Sequence, residues 1–162
     1  MYLERHIFSY IERMLKQFKV ILITGSRQVG KSTMLKEKLL SQYEYTVLDD
    51  FSELDLARRD PVLFFKNHKI PLIVDEVQRA PELFLQIKYI ADLSSKKGRI
   101  VLTGSQSHKL IKEVSDSLAG RLCFIDMSSL SMREIMKIDF NKEFLPVDEY
   151  LNARQKKIKQ YE

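Results

Sequence analysis

Apolar positions along the chain fall into short unbroken runs, separated by segments in which they recur every three or four residues. The runs are KVILITG at 19–25, YEYTVLDD at 43–50, IPLIVDE at 70–76, KKGRIVLTGSQS at 96–107 and GRLCFIDMS at 120–128. Their β-branched content and length predict strands. Helical spacing marks the amphipathic start MYLERHIFSYIERMLKQF, then KSTMLKEKLLSQY, SELDLARRD and PVLFFKNHK, with Pro61 as a start signal. It recurs in PELFLQIKYIADLSS, where Leu83, Ile87, Ile90 and Ala91 share one face, and over about 108–118.

Strands that read as continuous apolar runs are buried on both faces, and their alternation with helices predicts a parallel sheet covered on both sides. The expected class is therefore α/β, three layers built on a parallel sheet of about five strands. A chain of 162 residues is the size of one domain. Residues 1–140 are read as that domain and 141–162 as a C-terminal tail, with the start of a truncated second domain as the alternative.

Composition narrows the setting. Hydrophobic residues make up 44% and charged ones 30%, and no apolar run approaches the roughly 20 residues of a membrane span. The N-terminus lacks the features of a signal peptide, so a cytoplasmic location without membrane contact is expected. Cys123 is read as a small buried hydrophobe, and His6, His68 and His108 have no metal-ligand spacing. The net charge of +5 and the late basic segment with Arg154, Lys156, Lys157 and Lys159 leave two readings, a solvated helix end or DNA contact.

The stretch GSRQVGKS at 25–32 has the spacing of a phosphate cradle, and it lies where one is needed, between an apolar strand and a helix. Gly25 and Gly30 allow the backbone to turn its N–H groups towards phosphate, with Ser26, Arg27, Gln28 and Val29 between them and Thr33 following. Lys31 suits the β and γ oxygens as a point charge, and the Ser32 hydroxyl suits magnesium. IVDE then delivers Asp75 and Glu76 to the C-terminal end of the third strand. Asp75 is the expected second metal-side acid, and Glu76 the group that polarises an attacking water.

In IVLTGSQS, Thr103, Ser105 and Gln106 bring polar side chains to the end of the next strand, which is expected beside the first. Ser105 ranks ahead of Thr103 as the group aimed at the γ-phosphate or water, with capping of the next helix as the other reading. Arg121 is either a catalytic arginine, acting within the chain or on a neighbouring copy, or a surface residue in a turn. Arg27 ranks below it.

In order, TGSRQVGKST, YTVLDD, IVDEVQRAPELF, IVLTGSQS and VSDSLAGR followed by LSMRE resemble the AAA-like ATPase core of many bacterial and archaeal proteins. There the core usually precedes a C-terminal domain of uncertain, nuclease-like function. The resemblance covers about 20–134. It implies a P-loop NTPase fold, ATP and Mg2+ as cofactors, Lys31 and Ser32 as phosphate and magnesium residues, Asp75 as metal-side acid, Glu76 as catalytic base and Ser105 as sensor. Arg121 matches the family's arginine in position. Ser26 stands where proline is frequent and Ser32 where threonine is, both chemically tolerable, and the chain ends soon after the core.

The function expected is magnesium-dependent ATP hydrolysis, with self-association supplying an arginine in trans as a plausible extension. The alternative is a nucleotide-dependent switch or DNA-binding module with little turnover. A GTPase would show DxxG after the metal acid and an NKxD-like base reader. A small-molecule kinase would show an arginine-rich lid and have no need of Glu76.

Overall fold

The computed structural model of the chain describes residues 2–105, 114 and 116–137. Chain order gives α1 (Ile7–Leu15), β1 (Val20–Thr24), α2 (Lys31–Leu39), β2 (Glu44–Val47), α3 (Phe51–Arg59) and α4 (Pro61–Asn67). Then come β3 (Leu72–Asp75), a 3-10 turn (Val77–Arg79), α5 (Leu83–Asp92), β4 (Ile100–Thr103), β5 (Leu122–Asp126) and a short α6 (Met132–Ile135). Gln106, most of the helix expected over 108–118, and the tail with its basic segment lie outside the described residues.

The five strands form one sheet in the order β2-β3-β4-β1-β5, with every described pairing parallel. Because β1, β3 and β4 are interior, they are buried at every position, as their unbroken apolar runs require. Alternation along them feeds two separate cores. Val20, Leu22, Leu72, Val74, Ile100 and Leu102 pack with α3, α4 and α5, where Phe64, Leu83 and Ile87 are fully buried. Ile21, Ile23, Ile73 and Val101 face α1 and α2 through Ile11, Met34 and Leu35. The result is the expected three-layer α/β arrangement.

Edge strands read differently. In β5 Cys123 and Ile125 are buried in one core and Leu122 packs half-buried against the other, while Phe124 is exposed; Cys123 joins the core as expected of a small hydrophobe. The helices stop and start by local chemistry. Asp50 caps α3 by accepting from Ser52 and Glu53 N–H, and Asp60 caps α4, whose first residue is Pro61. Two short elements are additions to the expected pattern: the 3-10 turn after Glu76, and α6, which Ser131 and Glu134 close with a reciprocal capping box.

Since β4 and β3 lie beside β1 on one side and β5 on the other, all strand C-termini meet at one edge. The polar ends of three neighbouring strands therefore converge with the glycine loop. Among the described residues no helix is long and apolar enough to cross a membrane.

Candidate nucleotide site

The loop from β1 into α2 is built on positive φ angles. Gly25 stands at φ 151°, Gln28 at 63° and Gly30 at 91°, the last as the N-terminal cap of α2. Gly25 has a second constraint: a Cβ there would lie 2.2 Å from the carbonyl oxygen of Met127, just past β5. That carbonyl's residue is tied in by Met127 N–H donating to Thr24 O at 2.8 Å. A side chain at 25 is thus excluded by contact as well as by conformation. Gln28 holds the left-handed region without being glycine, at a cost of about 1–3 kcal/mol that the surrounding contacts must offset.

Lys31 opens α2 and is 6% exposed. Its ammonium donates to Gly25 O at 3.0 Å and Ser26 O at 2.9 Å, which curls it back over the loop. Both acceptors are neutral carbonyls, so the positive charge has no carboxylate partner in these contacts and is available to an anion seated in the loop.

Asp75 ends β3 and is 4% exposed. Its two oxygens are held from both neighbouring strands. Thr103 on β4 donates to Oδ1, and Tyr45 on β2 donates to Oδ2. The Glu76 N–H also approaches Asp75 Oδ1 at 3.2 Å and Thr103 Oγ1 at 3.3 Å. Burial first, and then the hydrogen bond to Asp75, push the Tyr45 phenol well above its ordinary range, so it stays protonated and remains a donor. The Ser32 side chain interacts with the same hydroxyl, which brings the loop close to the acid.

Glu76 takes a left-handed backbone, φ 60° and ψ 41°, that turns the chain out of the strand into the 3-10 turn. Gln78 Nε2 donates to its Oε2, while Gln78 Oε1 is buried without a partner among the described residues. A non-glycine residue in this region sits where surrounding structure over-determines it, and such strain gathers at functional sites.

One cleft of about 880 Å³ brings the loop, Lys31 and Glu76 together, and Asp75 is not among its lining residues. Arg27, Gln28, Gly30, Lys31, Ser32 and Thr33 line one side; Glu76 and Ser105 face them. Asp49, Gln78 and Arg79 complete the rim, with Arg79 paired to Asp49. Ser32 and Asp75 present oxygen donors only, from a hydroxyl and a buried carboxylate, which fits magnesium and does not fit a soft metal.

Thr103 and Ser105 are placed differently: Thr103 is fully buried and holds Asp75, whereas Ser105 lines the cleft. Arg121 is not brought to the cleft within the chain. It precedes β5, beside the first residue of β1, whereas the glycine loop follows the last, so a five-residue strand of about 16 Å separates them. There it pairs with Asp92, Nη2 to Oδ2 at 3.0 Å, and that hydrogen bonding holds Asp92 below its ordinary range. Tyr45, Asp49, Gln78, Arg79 and Arg5 are site or site-supporting residues that motif spacing does not flag.

Comparison with known proteins identifies the family. An AAA domain family matches residues 17–136. Two mycobacterial proteins, uncharacterized protein Mb2031c of Mycobacterium bovis and uncharacterized protein Rv2008c of Mycobacterium tuberculosis, are each 33% identical over 132 residues, 81% of this chain. The chain spans 30% of the length of these relatives. AMPPCP-bound DnaA from Aquifex aeolicus is similar in structure, with a TM-score of 0.49 and 20% identity over 91% of this chain and 52% of that one. On the match across residues 17–136, the chain belongs to the AAA domain family.

Proposed function

We propose that this chain binds ATP with magnesium and hydrolyses it by direct attack of water. The observation that carries the proposal is the single cleft in which Lys31 and Ser32 of the glycine loop face Glu76 at the end of β3. A module that only held nucleotide would have no use for a carboxylate opposite the phosphate cradle.

The residues divide the work by their chemistry. Backbone N–H groups of the loop and the start of α2 receive the phosphates. Lys31 exchanges its two carbonyl acceptors for β and γ oxygens, which are charged and therefore stronger acceptors. Ser32 and Asp75 would hold magnesium, Asp75 through water. Bound there, magnesium would offset the negative charge that develops on the β- and γ-phosphate oxygens. Glu76 orients the attacking water and accepts its proton, and Ser105 contacts the γ-phosphate or that water from β4.

Arg121 is assigned here to a second copy of the chain, because it stands at the opposite edge of its own sheet. Self-association would then complete the site. What the relatives' additional length contributes, including any DNA contact, would be coupled to this cycle.

The test is phosphate release from ATP and Mg2+, measured beside Glu76→Gln and Lys31→Ala at several protein concentrations. Hydrolysis by the parent, binding without turnover in Glu76→Gln and weakened binding in Lys31→Ala are the expected results. Parent-like turnover in Glu76→Gln would remove the assigned base. Tight ATP binding by the parent without turnover would favour a nucleotide-dependent switch.

A further inference from the structure

Arg5 lies just ahead of α1 and is 7% exposed, an unusual place for an arginine. Its guanidinium holds three separate parts of the chain. Nη1 donates to the carbonyl of Val29 in the glycine loop at 2.6 Å, and Nη2 to the carbonyl of Ser128 after β5 at 2.6 Å. Nε donates to Oε1 of Glu134 in α6 at 3.1 Å.

Glu134, also 7% exposed, is fixed in turn. Its Oε1 accepts from His6 N–H at 2.8 Å, and its Oε2 from Ser131 N–H at 2.7 Å. The two side chains are 129 residues apart in sequence. A buried pair of this kind is retained at a desolvation cost, which a hydrophobic contact of similar size would avoid. Its value is therefore sought in geometry.

That geometry acts on one peptide group. In a planar trans peptide the C=O and the following N–H point to opposite sides. Holding the Val29 carbonyl against Arg5 turns the Gly30 N–H away from Arg5, and Gly30 lines the cleft. The loop needs such a restraint, since Gln28 and Gly30 on either side of Val29 both hold positive φ.

We propose that Arg5 is a positioning residue for the phosphate cradle. Through the Val29 carbonyl it fixes the Val29–Gly30 peptide so that the Gly30 N–H is presented to a nucleotide's β-phosphate, and Glu134 holds Arg5 in place. The proposal rests on the ATP reading of the cleft. It also makes α6 a partner of the site, for a nucleotide that orders the loop must, by linkage, steady the segment that orders it.

The experiment is a calorimetric titration with ADP of the parent, Arg5→Lys, Glu134→Gln and Lys31→Ala, each checked for folding by circular dichroism. Lysine keeps the charge but replaces the planar fork with one point donor, which cannot serve Val29, Ser128 and Glu134 together. Affinity is expected to fall about tenfold in Arg5→Lys, the scale of one charge-assisted hydrogen bond, and less in Glu134→Gln. The Gly30 amide proton shift on ADP addition should shrink in both.

A folded Arg5→Lys with parent affinity and a parent-like Gly30 shift would overturn the role of Arg5 and leave the ATP reading standing. An absence of ADP and ATP binding in the parent would overturn the ATP reading itself, and with it the cradle that Arg5 serves. Should Arg5→Lys not fold, hydrogen exchange on the parent decides. ADP is expected to slow amide exchange in residues 132–135 as well as in the loop, and slowing confined to the loop would overturn the proposal.

Discussion

Tyr45 on β2 donates its phenol hydrogen to Asp75 on β3, and the side chain of Ser32, the first hydroxyl of α2, interacts with the same oxygen. One neutral side chain therefore spans the two groups assigned to magnesium. A protonated phenol orients the carboxylate without placing a positive charge against it that would compete with magnesium, as a lysine there would.

Tyr45→Phe keeps the ring, its packing and the Lys36 ammonium 4.3 Å from the ring centre, and removes only the hydroxyl. Stability should fall by about 1 kcal/mol, the net worth of such a hydrogen bond. ATP affinity measured with Mg2+ should weaken several-fold while affinity in EDTA stays at the parent value. Equal losses in both conditions would mean that Tyr45 supports the loop generally and not the metal-side pair.

Gly25 and Gly120 make a matched pair for testing the loop's backbone. Both hold positive φ, 151° and 74°. A Cβ at 25 meets the Met127 carbonyl at 2.2 Å, whereas one at 120 meets nothing within 4 Å among the described residues. Gly120→Ala should therefore show only the conformational cost, about 1 kcal/mol. Gly25→Ala adds a backbone clash that must shift β5 or the loop, and should cost at least 3 kcal/mol and abolish nucleotide binding. Similar melting temperatures for the two would show that the loop's approach to Met127 is slack.

Much of this is written in the sequence at short range. The runs at 20–24, 72–75 and 100–103 are apolar up to a last polar residue because these strands are covered on both faces, and the motif residues sit at their ends because loops do. The Ser131–Glu134 capping box is equally local, and its S-x-x-E spacing is a usable signal for α6. Arg121 was readable too: a residue just before a parallel strand lies at the edge opposite a loop that follows one. Arg5 is different in kind. Its partners are set by contacts across 24, 123 and 129 residues, which no local pattern encodes. Tyr45 is hidden for a related reason, since alternation on an edge strand does not tell which carboxylate a phenol will meet.

Arg121 and Asp92 pair at a solvent-exposed edge, where ion pairs add little to stability. Arg121→Ala should leave the melting temperature and the ATP affinity of a dilute sample unchanged. If a second copy supplies the arginine, specific activity in the parent rises with protein concentration, and this variant loses the rise. A loss of turnover at all concentrations alike would instead require Arg121 to act from within its own chain, which its place at the far edge does not allow without rearrangement.

The Arg5–Glu134 pair also predicts an acid limb of the stability curve. Burial pushes the Glu134 carboxyl up, but hydrogen bonds from Ser131 and His6 N–H, the Ser131 hydroxyl and Arg5 outweigh it and leave the group below its ordinary 4.5. A carboxyl with a depressed value in the folded chain takes up its proton first in the unfolded one. Its contribution is thus complete above about pH 4.5 and is lost as pH falls through the folded value. Glu134→Gln should be less stable than the parent at neutral pH, and the gap between them should narrow steadily below pH 4.5 in denaturant titrations. A constant gap down to pH 3 would show that Glu134 does not titrate in folding, and that the hydrogen bonds it accepts matter for shape alone.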